Sequence, residues 1–416
     1  MIDSIDNASR FIGAFTGFAV GDAFGYPCRE LTFEEICRRF EKKGCLRLAV
    51  SSKTNTALFT DATQMTLFTT DGILWAALSA LSESDTEGEH SDGVNYTEYV
   101  FYAYQLWLYT QTKTIAGAEY SWLFDKQVNP YKSKLIRTKG LHQKRFSDPV
   151  NVELLSRMRN LAYGKITAPI NGIERADSGA VKRVLPAGLF FNYSPELAFR
   201  AGVDFSAITH SSPVSYLSAG FYSAVIAELI NNADIDTAIE RAAKILKTYR
   251  NSGEVLAVIE KVQTFLEDEN ISPRAAISHI GTSDNAAEVL GVALFSGALF
   301  EDSYENAIRL AVNHDGQSDV CGAMCGGLLG AYHGVGFIPK KWVTKLSHLR
   351  LVEDIAISLV ENSYFNEKQD DQDEDPDNSD DFDGSGDSEF SQQSHENGGG
   401  FKIDFDDEYE DGFFEN

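Results

Sequence analysis

Two ladders of glycine constrain this chain more than anything else in it. Gly13, Gly17, Gly21 and Gly25 stand four residues apart, and so do Gly322, Gly326 and Gly330. On a helix that spacing lines the glycines along one face, because residues four apart sit one above the other. Each glycine weakens its helix by roughly 1 kcal/mol relative to alanine. That loss is offset only where another backbone packs against the bare face, so the ladders predict two helices forming a tight central pair. Close packing alone accounts for them and demands no function.

The rest of residues 8–365 also reads as helix. Apolar residues recur at three and four through 215–231, 234–249 and 255–267, and few stretches alternate with period two. The expected fold is all-α, and hydrophobic residues at 43% suffice for a sizeable core. Two stretches read as loops. Residues 82–95 are rich in Ser, Glu, Asp and Gly. Residues 125–150 are basic, with Lys126, Lys132, Lys134, Arg137, Lys139, Lys144 and Arg145; they form either a solvated surface or a lure for an anionic partner.

Charge divides the chain in two. Residues 366–416 hold 20 acidic residues against Lys368 and Lys402, a net of −18 out of −26, which leaves −8 for residues 1–365. The tail is too polar to bury enough apolar area to offset its chain entropy, and it is expected to be disordered. Its last 16 residues interleave Phe401, Ile403, Phe405, Tyr409, Phe413 and Phe414 with acids. That composition suits an arm that settles on a basic, partly apolar protein surface; the plainer alternative is a solubilising tail. Five cysteines, an odd number in a long chain, fit a reducing compartment. The N-terminus lacks the basic and apolar regions of a signal peptide, and no uninterrupted apolar run reaches about 18 residues. A cytoplasmic protein is expected, with neither nucleic acid nor membrane as a partner.

Chemistry concentrates in two short stretches. At 311–334 a polar loop carrying Asp315, Gln317, Ser318 and Asp319 runs into a helix of small residues. Such a loop presents oxygens from a rigid base, as a cation or phosphate site requires. At 59–67, Thr60 and Asp61 put a hydroxyl and a carboxylate at a helix start, with Gln64 three later as in a capping box. Hard cations take such oxygens. A helix cap needs the same residues and no metal. Asp22, after a ladder glycine, reads as a buried hydrogen-bonding residue. Cys321 and Cys325, four apart with no second pair, read as core residues and not as a zinc site.

These blocks together resemble the ADP-ribosylglycohydrolase family over roughly residues 8–345. The resemblance rests on Gly13–Gly25 ending Gly-Asp-Ala-Phe-Gly-Tyr-Pro, on Phe-Thr-Asp-Ala-Thr-Gln-Met-Thr-Leu at 59–67, on Ile-Thr-His-Ser at 208–211, and on the 311–334 block. Trp107–Gln111 and Gly179–Val184 support it. It implies a compact orthogonal multi-helix bundle at 1–365, followed by the acidic tail at 366–416. It also implies a binuclear Mg²⁺ or Mn²⁺ centre in a cleft, which hydrolyses the glycosidic bond joining ADP-ribose to a protein side chain. On the same ground Thr60, Asp61 and Asp319 are expected at the metal, and Glu30, Asp61 and Asp319 in catalysis. Arg29, Asp315, Gln317, Ser318, His210 and Gly179 are expected at the substrate.

The departures from the family pattern shape the functional expectation. The family's Thr-Asp-Asp is Thr60-Asp61-Ala62 here, and its Gly-Asp-(Ser/Thr)-Asp-Thr is Gly316-Gln317-Ser318-Asp319-Val320. A glutamate expected after the first ladder is replaced at the aligned position by Arg29, with Glu30 one residue late. Two retained carboxylates face the +4 charge of two divalent ions, so one weakly held Mg²⁺ or Mn²⁺ is expected at most, or none. Arg29 could hold a diphosphate instead, and Asp315 could be a relocated carboxylate. The expected function is binding of ADP-ribose or an ADP-ribosylated protein with little or no hydrolysis, a pseudoenzyme. One form is an immunity or antagonist protein acting on an ADP-ribosyltransferase. The alternative is an active Mg²⁺-dependent hydrolase of modified side chains.

Overall fold

The computed structural model describes residues 7–84, 94–112, 133–158 and 174–373. Among them are sixteen α-helices and no strand beyond two isolated bridges. In chain order the helices are α1 Asn7–Gly25, α2 Phe33–Arg39, α3 Asp61–Ser84, α4 Tyr96–Thr112, α5 Pro149–Met158, α6 Leu185–Phe190, α7 Pro195–Ala207 and α8 Pro213–Ile230. They continue as α9 Ile235–Leu246, α10 Gly253–Glu267, α11 Pro273–Ile280, α12 Ala286–Leu299, α13 Tyr304–Val312, α14 Ser318–His333, α15 Lys340–Val343 and α16 Leu349–Asp373.

The glycine ladders meet as their spacing predicts. A Cβ added at Gly13, Gly17, Gly21 or Gly25 of α1 would fall within 3.0 Å of the backbone at Gly330, Gly326, Gly322 or Ser318 of α14, in that order. The two helices therefore run antiparallel with backbone against backbone, and no other residue fits at these crossings. Around this pair lie α8 and α12, buried along nearly all of their length. At 18 residues and mean hydropathy 1.3, α8 is long and apolar enough to cross a bilayer on those counts alone; here 89% of it is buried inside the fold. Outer helices show the one-sided pattern of a surface position. In α9, Ile235, Ala238, Ile239, Ala242 and Leu246 face inward, and Asp234 caps its start by accepting the N–H of Thr237.

The three helices read from periodicity form within three residues of their expected bounds. The last helix, α16, runs to Asp373, past the boundary at 365 that composition marked. Residues 374–416, with the expected disordered arm, lie outside the described residues, as do most of the polar loop at 82–95 and the start of the basic stretch. The described part of that stretch is irregular, with 3-10 turns at Leu135–Arg137 and Lys139–His142. It is not all solvated: Arg145 is buried over the ring of Phe59 and donates to Gln143.

Candidate functional site

The register of the central pair decides which residues meet. Because Gly25 lies on Ser318, the chain leaving α1 is delivered beside the first turn of α14. A 3-10 turn, Tyr26–Cys28, follows, and then Arg29 and Glu30. Glu30 adopts φ 61, an uncommon left-handed backbone for a residue other than glycine, and its N–H donates to the carbonyl of Gly316. The turn sends Arg29 inward and leaves the Glu30 side chain 60% exposed. Asp319 is in the first turn of α14 and Asp61 is the first residue of α3, so both carboxylates sit at helix N-termini, where the macrodipole favours negative charge.

Two side-chain cations lie against these carboxylates. Nη1 of Arg29 is 2.8 Å from Oδ2 of Asp319 and 3.7 Å from Oδ1 of Asp61. Nζ of Lys182, from the short 3-10 turn Val181–Arg183, is 2.7 Å from Oδ2 of Asp61, which also accepts the backbone N–H of Asp148 at 2.9 Å. Burial by itself would lower both cations. The negative charges of Asp319 and Asp61 outweigh it at Arg29, as those of Asp61 and Asp148 do at Lys182, and each is held above its ordinary value. One side-chain oxygen on each of Asp61, Asp319 and Gln317 is buried without a hydrogen-bond partner.

Behind the pair, Asp22 on α1 holds the start of α3. It accepts the N–H groups of Thr60 and Thr63 at 3.0 Å and the hydroxyl of Thr63 at 2.5 Å. Asp22 is thus the buried hydrogen-bonding residue expected, and it takes over the capping role read into Asp61. Thr60 turns its hydroxyl to the N–H of Ala62. Burial, and then the charge of Asp319, raise the Asp22 carboxyl to about 7.

The structure brings Arg29, Asp61 and Asp319 together and places the other expected residues differently. Glu30 stands at the outer edge, 3.4 Å from Nε of Arg29, and is not grouped with Asp61 and Asp319. Asp315 accepts the N–H of Phe33 at 2.6 Å and so anchors α2. Ser318 is buried with its hydroxyl toward the carbonyl of Cys28 at 3.5 Å. The guanidinium of Arg29 is already matched by two carboxylates and is not a free receptor for a diphosphate. All five cysteines are free thiols, and Cys321 and Cys325 are core residues.

A second cluster gathers around Gly179. One ligand atom each of Asp148, Asp177 and His210 lies within 4.8 Å of the others. A Cβ on Gly179 would meet all three side chains at 3.0 Å or less, so the missing side chain is what lets them converge. Nε2 of His210 is 2.7 Å from Oδ1 of Asp177, and Nδ1 is 2.8 Å from the hydroxyl of Thr209. Arg183, fully buried against the ring of Tyr104, donates to that hydroxyl at 2.6 Å. An ionised carboxylate can only accept, so Nε2–H donates to Asp177, and in the neutral imidazole Nδ1 then accepts the Thr209 hydroxyl proton. Burial pushes the Asp177 carboxyl up, but His210, the N–H of Gly179 and Arg175 together bring it below its ordinary value. A cavity of about 300 Å³ lined by Arg175, Ala176, Asp177, Ser283, Asp284 and Asn285 opens beside it.

The two clusters differ as hosts for a metal. At Asp61 and Asp319 the donor set does not fit a divalent pair. Ala62 and Val320 carry no oxygen, Gln317 supplies an amide, and two fixed cations already balance the two carboxylates. The cluster of Asp148, Asp177 and His210 has the donor types for one ion, which would displace the Nε2 proton. Lys182, Asp148 and Asp177 were not singled out from sequence. The signal for Lys182 was present: two adjacent charges, Lys182-Arg183, inside the apolar run Ala180–Leu185 must be buried, and buried charges need partners.

A sequence model of the ADP-ribosylglycohydrolase family matches residues 3–371. An uncharacterized protein of Archaeoglobus fulgidus is 23% identical over 355 residues, covering 85% of this chain and 96% of that protein. The ADP-ribosyl-(dinitrogen reductase) glycohydrolase of Rhodospirillum rubrum is 25% identical over 346 residues, covering 81% of this chain and 90% of its own. An ADP-ribosylarginine hydrolase, Tri1, of Pseudomonas putida matches at 22% over 191 residues, 45% of this chain and 47% of its own. A solved ADP-ribosylglycohydrolase-related protein complex aligns over 86% of this chain and 99% of its own at 20% identity, with a TM-score of 0.47.

Proposed function

The chain belongs to the ADP-ribosylglycohydrolase family, and on that premise we propose that it binds an ADP-ribosyl group, free or attached to a protein, and hydrolyses it slowly or not at all. The observation that carries this reading is the guanidinium of Arg29 lodged between Asp61 and Asp319. In our reading the lone oxygens of Asp61, Asp319 and Gln317, closed to solvent as they stand, accept hydroxyl donors of the ligand once it enters the site. A neutral diol satisfies those acceptors without adding charge to a balanced site. Cytoplasmic placement is part of the proposal, supported by five unpaired thiols. So is a basic protein partner for the acidic residues beyond 366, an ADP-ribosyltransferase being one candidate of that kind.

Two measurements test this. Calorimetric titration with ADP-ribose is expected to give the same affinity in excess EDTA and in Mg²⁺, since the ligand bonds to protein oxygens. Release of ADP-ribose from an ADP-ribosylarginine peptide is expected to run at least about 100-fold slower than for the ADP-ribosylarginine hydrolase of Pseudomonas putida, on the scale of losses at metal-supporting groups. Brisk Mg²⁺-dependent turnover abolished by Asp61→Ala would reverse the proposal.

A second reading is kept because of one observation: the convergence of Asp148, Asp177 and His210 over Gly179. It makes the protein an Mg²⁺- or Mn²⁺-dependent hydrolase with one ion at that cluster. Metal-dependent turnover lost in Asp177→Asn but kept in Asp319→Asn would favour it.

A further inference from the structure

We propose that Arg29 and Lys182 are a built-in replacement for divalent ions, so that the position between Asp61 and Asp319 excludes Mg²⁺ and Mn²⁺ and is charge-balanced by protein alone. The inference rests on the family reading of the site, but not on any affinity for ADP-ribose. Three observations carry it. The cations touch the carboxylates themselves, at 2.8 Å for Arg29 on Asp319 and 2.7 Å for Lys182 on Asp61. All four side chains are nearly closed to solvent, 9% exposed for Arg29 and 2% or less for the rest. Their charges sum to zero before any ion arrives.

Consider what an incoming ion meets. To reach either carboxylate it must come within a few ångströms of a fixed positive group. A divalent ion is repelled by each fixed cation twice as strongly as a unit charge would be, and a buried site screens that repulsion far less than water does. Water cannot relieve the repulsion, because the groups are buried. Nor can Arg29 swing away cheaply. Its backbone is set by the left-handed turn at Glu30, whose N–H is tied to Gly316, and by the seating of Gly25 on Ser318. Lys182 is in a buried 3-10 turn next to Arg183, itself bonded to Asn151 and Thr209.

The test uses the full-length protein and Mn²⁺ as probe, read by the electron paramagnetic resonance signal of the free aqueous ion. Wild type is expected to show no site tighter than about 1 mM that Asp319→Asn removes. The triple variant Arg29→Glu, Ala62→Asp, Gln317→Asp exchanges the cation for oxygen donors and is expected to bind Mn²⁺ at least about 100-fold more tightly. If circular dichroism shows the triple variant unfolded, Arg29→Ala decides in its place, with an expected gain of about 10-fold. Asp177→Asn identifies ions held at the second cluster: binding lost there and kept in Asp319→Asn leaves the proposal standing. A wild-type Mn²⁺ site lost in Asp61→Asn or Asp319→Asn overturns it, and so does a folded triple variant or Arg29→Ala without gain. Failure of ADP-ribose to bind would remove the ligand reading and leave these results untouched.

Discussion

At the scale of single residues, the site behaves as two buried ion pairs whose members cannot be removed one at a time. Lys182→Met leaves Asp61 buried with a cation gone, and such half-broken pairs destabilise by about 3–5 kcal/mol. Adding Asp61→Asn removes the stranded charge and is expected to recover a good part of that loss in urea melts. Additive losses in the double variant would mean that the pair does not couple. Asp22 makes a prediction in pH. Its carboxyl rises from 3.8 to about 7 in the fold. The unfolded chain releases this proton near its ordinary value, so in between the folded state alone holds it. The stability from Asp22 is therefore fully present below about pH 4 and lost as pH rises through about 7. Relative to Asp22→Asn, wild type is expected to lose on the order of 4 kcal/mol between pH 4 and pH 8. Parallel stability profiles would show Asp22 ionised throughout, held by Thr60 and Thr63. Sequence showed Asp61 and Asp319 as candidates through the oxygen-rich stretches that carry them and the family resemblance those stretches support. It did not show their partners, because Arg29 and Asp319 are 290 positions apart.

At the scale of helices, the fold was legible where its cause was local. The ladders gave α1 and α14 as a close pair, and periodicity gave α8, α9 and α10, because a buried face writes its period into the chain. The capping of α3 was legible only in part: Thr60 just before it accepts the N–H of Ala62, but the carboxylate that accepts the N–H of Thr63 comes from α1. Helix packing also explains why the site needs bare faces far from it. A Cβ at Gly21 or Gly326 would strike the backbone of the opposite helix. Either alanine variant is expected to lower the thermal midpoint by about 4 °C or more, as a loss of roughly 3 kcal/mol or more does in a domain of this size. Gly253 is the control: it is in the first turn of α10, and a Cβ there meets nothing within 4 Å. Gly253→Ala is expected to be neutral or to stabilise by up to about 1 kcal/mol. Equal losses at Gly21 and Gly253 would mean that helix propensity, not contact between backbones, sets the effect.

At the scale of the whole molecule, charge is distributed so that the helical body and the C-terminal segment do different things. Residues 374–416 carry 16 acidic side chains and one lysine. A chain ending at 373 is expected to keep its thermal midpoint and to lose most of its retention on immobilised polylysine at about 0.15 M salt, where attraction between exposed charges is still felt over about 8 Å. Unchanged retention would assign the attraction to the body. Within the body, membership of the ADP-ribosylglycohydrolase family was legible in sequence. The cation replacement we propose was not, because Lys182 reaches Asp61 only through the packing of the short turn after Gly179 against the start of α3. The most direct test of that replacement is anomalous diffraction from crystals soaked in Mn²⁺. The account predicts no anomalous peak between Asp61 and Asp319, with Arg29 still seated on Asp319. A peak bonded to both carboxylates, with Arg29 and Lys182 turned aside, would contradict it.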